Sequence, residues 1–316
     1  MAAGGAMPIS PPSGTPPVKR DRDMTSTAET ARLRVGLVQL RSGRDMDANI
    51  EIATALIREA ARDGARYVQT PEVTHLMEMD RAVLFTKLKD EPLDPGLRAF
   101  QALAKELGIH LHVGSLAVRV SETKAANRGF LIGPDGEIAA RYDKIHMFDV
   151  DLPGGESYRE SNAYRPGERA VLGHVDEFKL GMSICYDLRF PALYRALAES
   201  GASVLTAPSA FTRPTGEAHW HILLRARAIE TGAYMLAAAQ GGKHENGRET
   251  YGHSLVVDPW GRVIAEGGTE PGVILAELDI AEVEAARSRV PSLRNGRRFE
   301  LADVPAGRLH VVGAAT

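Results

Sequence analysis

The sequence predicts an α/β protein in which sheets are layered against helices. Two observations carry that expectation. Short apolar segments of strand character alternate with segments whose apolar residues recur at helical spacing, and 316 residues is a length that layered α/β folds reach as a single unit. A third observation concerns symmetry. "GPDGEIAAR" (Gly133 to Arg141) and "DPWGRVIAE" (Asp258 to Glu266) each join a Pro-x-Gly turn to a short apolar strand, roughly once per half, which hints at a pair of related sheets.

Taken in order, the first thirty or so residues are rich in Pro, Gly, Ser and Thr and carry neither an apolar targeting core nor a cleavage site. Residues 1–31 are therefore expected to be a disordered tail, and Met24 would serve equally well as a start. "LRVGLVQL" (Leu33 to Leu40) reads as a strand. Ala48 to Asp63 reads as a helix, with Ile50, Ala53, Ile57 and Ala60 on one stripe and Gly64 as its stop. "ARYVQTPE" is a second strand ending at Pro71, Leu97 to Leu107 a helix closed by Gly108, and Ile109 to Leu116 a third strand. The order then repeats: a strand at Phe178 to Ile184, a helix at Phe190 to Ser200, a strand at Ala202 to Ser209, a helix at His219 to Thr231 and a strand at Tyr234 to Gln240. A single domain is expected over 32–300, and residues 301–316 are expected to be a C-terminal tail.

Charge narrows the partners. Lys and Arg number 38 against 41 Asp and Glu, a formal charge of −3, with no basic stripe interleaved with aromatics, so nucleic acid is not expected. A small neutral or anionic molecule is. No apolar run approaches the roughly 18 residues needed to cross a bilayer, and a single cysteine cannot close an intramolecular disulfide. Both point to a cytoplasmic protein without membrane partners.

That cysteine, Cys185 in "GMSICYDLRF", falls at a strand-to-helix turn, where a nucleophile is commonly presented. A free cysteine is also a common core residue, so its neighbours decide. An ordinary thiol is only a few per cent thiolate at neutral pH and needs a base or a cation beside it. None of the ten histidines occupies a diagnostic position. His110 and His112 share a strand face, His219 and His221 open a helix, and no HExxH or paired Cys/His spacing is present, so no metal and no cofactor is expected. Glu72, just after the strand "RYVQT", and Lys144, just after "GEIAARYD", both occupy strand ends, where α/β folds place reactive groups.

"QTPEV" around Glu72, "RYDKIHMFDVDLPGG" around Lys144 and "GMSICYDLRFPALYRALAESGASVL" around Cys185 resemble the three signature blocks of the nitrilase superfamily of carbon-nitrogen hydrolases, and the likeness runs from about Leu33 to Phe299. Within it, "GEAHWHILLRARAIETGAYMLAAAQGG" and "YGHSLVVDPWGRV" are most similar to the deaminated glutathione amidase branch, with the omega-amidases next. The resemblance implies a four-layer α-β-β-α sandwich with two mixed sheets, a homodimer or higher homo-oligomer, and a Glu72, Lys144 and Cys185 triad assisted by Glu160 in "YRESN". It departs at His221, where relatives often carry an acidic residue.

The implied reaction is cleavage of a small linear carboxamide to carboxylate and ammonia through a cysteine thioester. Glu72, with its pKa expected to be raised by an apolar pocket, would act as base and acid, and Lys144 with the backbone N–H of Tyr186 would hold the oxyanion. Arg189 and Arg213 are candidates for a substrate carboxylate, Arg213 from a loop after "ASVLTAPS". Alternatives are an omega-amidase acting on 2-oxoglutaramate, a nitrilase, an N-carbamoyl amino acid hydrolase, and a non-catalytic scaffold. The scaffold would be favoured had any triad member been replaced, and none has.

Overall fold

The computed structural model describes residues 31–152 and 155–300, together with Met1, so the tails expected at the two ends lie almost wholly outside the described residues. Strand β1 (Arg32–Gln39) leads through helix α1 (Met46–Arg62) to β2 (Tyr67–Gln69). Helices α2 (Arg81–Lys87) and α3 (Pro95–Leu107) precede β3 (His110–Arg119) and the hairpin of β4 (Ala125–Ile132) with β5 (Ile138–Asp143). A ribbon of β6 (Asp149–Asp151) and β7 (Ser157–Arg159) follows. The second half runs β8 (Val171–Val175), β9 (Phe178–Met182), α4 (Pro191–Glu199), β10 (Val204–Thr206), α5 (Arg213–Thr231) and β11 (Tyr234–Ala237). It closes with the ribbon β12 (Gly241–Lys243) and β13 (Glu249–Tyr251), then β14 (Leu255–Val257), β15 (Val263–Glu266), β16 (Gly272–Asp279) and α6 (Ile280–Arg289).

Two six-stranded sheets result, ordered β16-β1-β2-β3-β4-β5 and β15-β14-β11-β10-β9-β8. Each has three parallel strands at its centre, β1-β2-β3 and β9-β10-β11. An antiparallel hairpin extends each on one side, β4-β5 and β14-β15, and these carry the two Pro-x-Gly turns. The internal symmetry hinted at by the repeated turn is therefore present in strand order. One apolar cluster joins Leu33, Leu37 and Tyr67 of the first sheet to Leu180, Leu205 and Leu236 of the second and continues to Leu193 and Trp220 on α4 and α5. A second packs Ala53, Ile57, Phe100 and Leu103 of α1 and α3 on the outer face of the first sheet. Helix, sheet, sheet and helix thus stack as four layers, each apolar face covered by the next.

Gly108 ends α3 as expected, in the left-handed region at φ 64°. Asp45 caps α1 through its side chain at 3.0 Å from the Ala48 N–H and Asp94 caps α3, so both helices begin two residues before the expected Ala48 and Leu97. Helix α5 differs: it starts at Arg213, six residues before the expected His219, so His219 and His221 lie within the helix rather than opening it. The start signal was Thr212-Arg213-Pro214, since proline suits the first helical turn. Among the described residues no helix is long and apolar enough to cross a membrane.

The carboxyl ends of the two parallel triplets are stitched together. Leu40, after β1, bridges Gln240, after β11, the Gln240 amide donates to the Glu72 carbonyl at 3.1 Å, and the Ala238 N–H donates to Gln69 Oε1 at 2.9 Å. Gly114, at the irregularity in β3, makes this convergence possible, because a Cβ there would lie 2.1 Å from the Thr70 carbonyl oxygen and 2.5 Å from Pro208 Cβ. Both obstacles belong to segments that cannot swing aside. Gly114→Ala is expected to destabilise the fold by about 1–3 kcal/mol, measurable by urea denaturation, and to lower activity by moving Pro71 and hence Glu72.

Candidate active site

Three strand ends deliver the expected residues to one place. Glu72 follows β2, Lys144 follows β5 and Cys185 follows β9, and they are 5, 2 and 6% exposed. Lys144 Nζ donates to Glu72 Oε1 at 2.8 Å and to Glu160 Oε1 and Oε2 at 3.0 and 2.8 Å. The ammonium is thus bracketed by two carboxylates. Glu160 is itself fixed by the Phe148 N–H, 2.7 Å from its Oε2. The other Glu72 oxygen accepts the Ala210 N–H at 2.9 Å, and the Glu72 carboxylate acts electrostatically on the Cys185 thiol.

Cys185 has φ +50°, a conformation that costs a residue with a Cβ of order 1 kcal/mol or more. It opens a tight 3₁₀ turn, Cys185–Arg189, between β9 and α4. Asp187 holds that turn against the lysine segment. Its buried carboxylate accepts the Ile184 N–H at 2.9 Å and the Tyr142 hydroxyl at 2.7 Å through Oδ2, and the His146 N–H at 3.0 Å through Oδ1. One carboxylate therefore fixes the separation between nucleophile turn and Lys144. The Cys185 N–H is committed to the Pro208 carbonyl at 3.0 Å, whereas Tyr186 lines the cavity beside the thiol.

The electrostatics differ from the sequence expectation at Glu72. Burial does push its carboxyl up, but the adjacent Lys144 charge, with the hydrogen bond from Lys144, outweighs burial and leaves it below the ordinary value. The lysine responds oppositely: burial favours loss of its proton, yet Glu160 and Glu72 together hold it well above its ordinary value. Burial and then the Glu72 charge raise the Cys185 thiol, and Lys144 offsets them only in part. At rest the site is carboxylate, ammonium and neutral thiol. The sulfur carries its proton until something takes it, and Glu72 is the carboxylate whose charge acts on it.

The thiol opens into a cavity of about 450 Å³, within the size range of small-molecule sites, lined also by Phe148, Tyr158, Arg189 and Arg248. Arg189 lies there as anticipated, its guanidinium 5.5 Å from the centre of the Phe211 ring and 5.9 Å from that of Tyr186. Arg213 does not. As the first residue of α5 it points along the surface, 61% exposed, and is neutralised by Glu217 at 2.9 Å and Glu249 at 3.4 Å. The cavity instead receives Arg248, on the loop between β12 and β13, where it donates to the Ala210 carbonyl and lies over Tyr158.

Sequence reasoning also missed Asn127 of β4, whose amide donates to Glu72 at 2.9 Å and Glu160 at 3.0 Å. The only signal was a polar residue inside an apolar strand, "AANRGFLI". His112, one of the paired strand histidines, is structural: fully buried, pushed down to about 3 by burial and bonded to the Tyr67 hydroxyl at 2.8 Å.

Residues 34–288 match the carbon-nitrogen hydrolase family. The chain is 40% identical over 285 residues to the deaminated glutathione amidase of Bos taurus, covering 88% of this chain and 86% of the bovine protein. Its fold is similar to that of Saccharomyces cerevisiae Nit3, a member of branch 10 of the nitrilase superfamily (TM-score 0.74, 30% identity, 85% of this chain and 97% of the other). It is similar too to an amidase from Nesterenkonia sp. AN1 (TM-score 0.71, 26% identity, 84% and 94%), solved as a variant with the acetamide moiety of fluoroacetamide covalently added at its active-site cysteine.

Proposed function

The chain belongs to the carbon-nitrogen hydrolase family, and from that premise we propose that it hydrolyses a small linear carboxamide through Cys185, with deaminated glutathione as the substrate. The observation that carries the chemistry is the buried Glu72, Lys144 and Cys185 cluster opening on a single cavity. Glu72, ionised at rest, takes the thiol proton as sulfur attacks the amide carbon. Lys144 and the Tyr186 N–H receive the oxyanion. Collapse of the tetrahedral species expels the nitrogen, which leaves as ammonia with the proton that Glu72 returns, and a thioester remains. Glu72 then deprotonates a water that attacks the thioester, freeing the carboxylate and the thiol. Glu160 and Asn127 position Lys144 and Glu72 throughout.

The choice of substrate rests on charge. Deaminated glutathione has two carboxylates, and 2-oxoglutaramate has one. Arg189 and Arg248 both line the cavity, and neither forms an ion pair with an acidic side chain among the described residues. A guanidinium without an internal carboxylate partner is suited to a carboxylate brought by the ligand. Arg248→Ala is expected to reduce kcat/KM for deaminated glutathione by about 1.5–3 kcal/mol equivalent and to affect 2-oxoglutaramate much less, whereas Arg213→Ala leaves both unchanged. Ammonia release from the two amides by the three proteins tests the assignment. Equal losses on both amides for Arg248→Ala would place the enzyme with the omega-amidases instead.

The reaction belongs in the cytoplasm, since its mechanism needs the one cysteine reduced. A homodimer is the assembly we propose, supported by the exposed apolar residues Ile222 and Ile229 on α5 and Trp260 on the β14–β15 turn. Analytical ultracentrifugation reads it directly.

A further inference from the structure

We propose that His221, His253 and Glu266 form a binding site for a divalent transition metal ion of the zinc type, outside the amide-cleaving cavity. The three residues come from three elements: His221 from α5, His253 from the turn that enters β14, and Glu266 from the end of β15. His221 Nε2 and His253 Nδ1 each lie 2.9 Å from the same oxygen, Glu266 Oε1. The three donor atoms all fall within 4.8 Å of one another.

Two imidazole nitrogens and one carboxylate oxygen are a donor set that zinc accepts, with the remaining position left to water. Bonds of roughly 2.0–2.2 Å in a tetrahedral arrangement put donors about 3.4 Å apart, so each His–Glu pair opens by about 0.5 Å from its 2.9 Å contact, while the two imidazole nitrogens, within 4.8 Å of each other, settle to the same spacing. No strand or helix spacing in the sequence announces such a site, because the ligands are 32 and 13 residues apart. That is why motif inspection led to the opposite expectation of no metal.

The cradle is built in advance of any ion. His253 occupies a left-handed conformation at φ +54°, and its backbone is tied at both ends, donating to the Gly268 carbonyl at 2.7 Å and accepting from Trp220 Nε1 at 2.8 Å. Its ring stacks on Tyr251 with centroids 4.4 Å apart. His221 is adjacent to the buried Trp220 on the helix that makes the second of those ties. An ion there would staple α5 to the β14–β15 hairpin, and in the single chain side-chain exposures of 27–37% let an ion reach it.

The test is Zn²⁺ titration of the folded full-length chain carrying Cys185→Ala, which removes the thiol as a competing ligand, followed by isothermal calorimetry and by the thermal midpoint with and without the ion. The expected result is one Zn²⁺ per chain and a midpoint that rises with Zn²⁺ concentration. Binding should weaken at least about tenfold in His221→Ala and in Glu266→Gln, as the loss of even supporting groups around a metal has that effect. His253→Asn, which tolerates the positive φ, should behave likewise and keeps the backbone intact. Absence of saturable binding, or binding that persists unchanged in His221→Ala and Glu266→Gln proteins of normal thermal stability in the absence of Zn²⁺, overturns the proposal and leaves the trio as a hydrogen-bonded latch.

Discussion

Cys185→Ala is expected to reduce amide hydrolysis to background, a loss of at least about 10⁴-fold, while leaving the folded protein within about 1 kcal/mol of its original stability. The asymmetry follows from the structure. The sulfur is the atom that must form the thioester, and no second cysteine exists to take over. Yet alanine deletes one sulfur atom on the wall of an existing cavity and inherits the same positive φ as cysteine, so backbone strain is unchanged between the two. The Glu72–Lys144–Glu160 array keeps its internal hydrogen bonds without the thiol. Ammonia release and urea denaturation on the same preparation check both halves. Turnover near the original rate would remove Cys185 from the mechanism.

Lys144→Met should be costly on both counts. Lys144 is the buried cation between the buried Glu72 and the partly buried Glu160, and deleting one partner of a buried ionic cluster typically destabilises by about 3–5 kcal/mol. Activity should fall by about 10³-fold or more, since an oxyanion donor is lost and Glu72 loses the charge that keeps it ionised. The pH dependence distinguishes these effects. Glu72 is depressed in the folded protein, so its contribution to stability is full above the ordinary carboxylate value of 4.5 and is lost as pH falls through the depressed one. Lys144 is raised, so its contribution is full below its ordinary 10.5 and is lost only as pH rises beyond that. The acid limb of kcat/KM in the original enzyme should therefore lie below the usual carboxylate range, and in Lys144→Met it should move upward. An acid limb that stays put would mean that Lys144 does not set the state of Glu72.

Much of this site was legible because its members sit where strands end, and strand ends can be read from local pattern. β2, β5 and β9 each stop immediately or within a few residues of Glu72, Lys144 and Cys185. What could not be read is what depends on long-range closure. β16 returns to pair with β1, Arg32 opposite Asp279, and nothing local in either segment names the other. Arg248 reaches the cavity from a loop between two three-residue strands, and its sequence context, "ENGRET", resembles any surface turn. Arg213 failed for the converse reason. Its sequence context predicts a loop residue aimed at the strand ends, but Pro214 beside it starts a helix, and the helix carries the guanidinium out to Glu217 and Glu249. For Glu72, an apolar setting alone predicts a raised carboxyl, whereas the ammonium 2.8 Å away arrives from a strand end 72 residues later in the chain.

In the proposed reaction the acyl carbon leaves nitrogen by passing through sulfur at Cys185. Intact-protein mass spectrometry of enzyme quenched in acid during turnover of deaminated glutathione reads that step directly, with peptide mapping to locate the change. The expected result is a transient mass gain equal to the substrate less ammonia, carried on the Cys185 peptide and discharged as substrate is exhausted. Ammonia release with no mass gain at any quench time, or a gain on another residue, would contradict it.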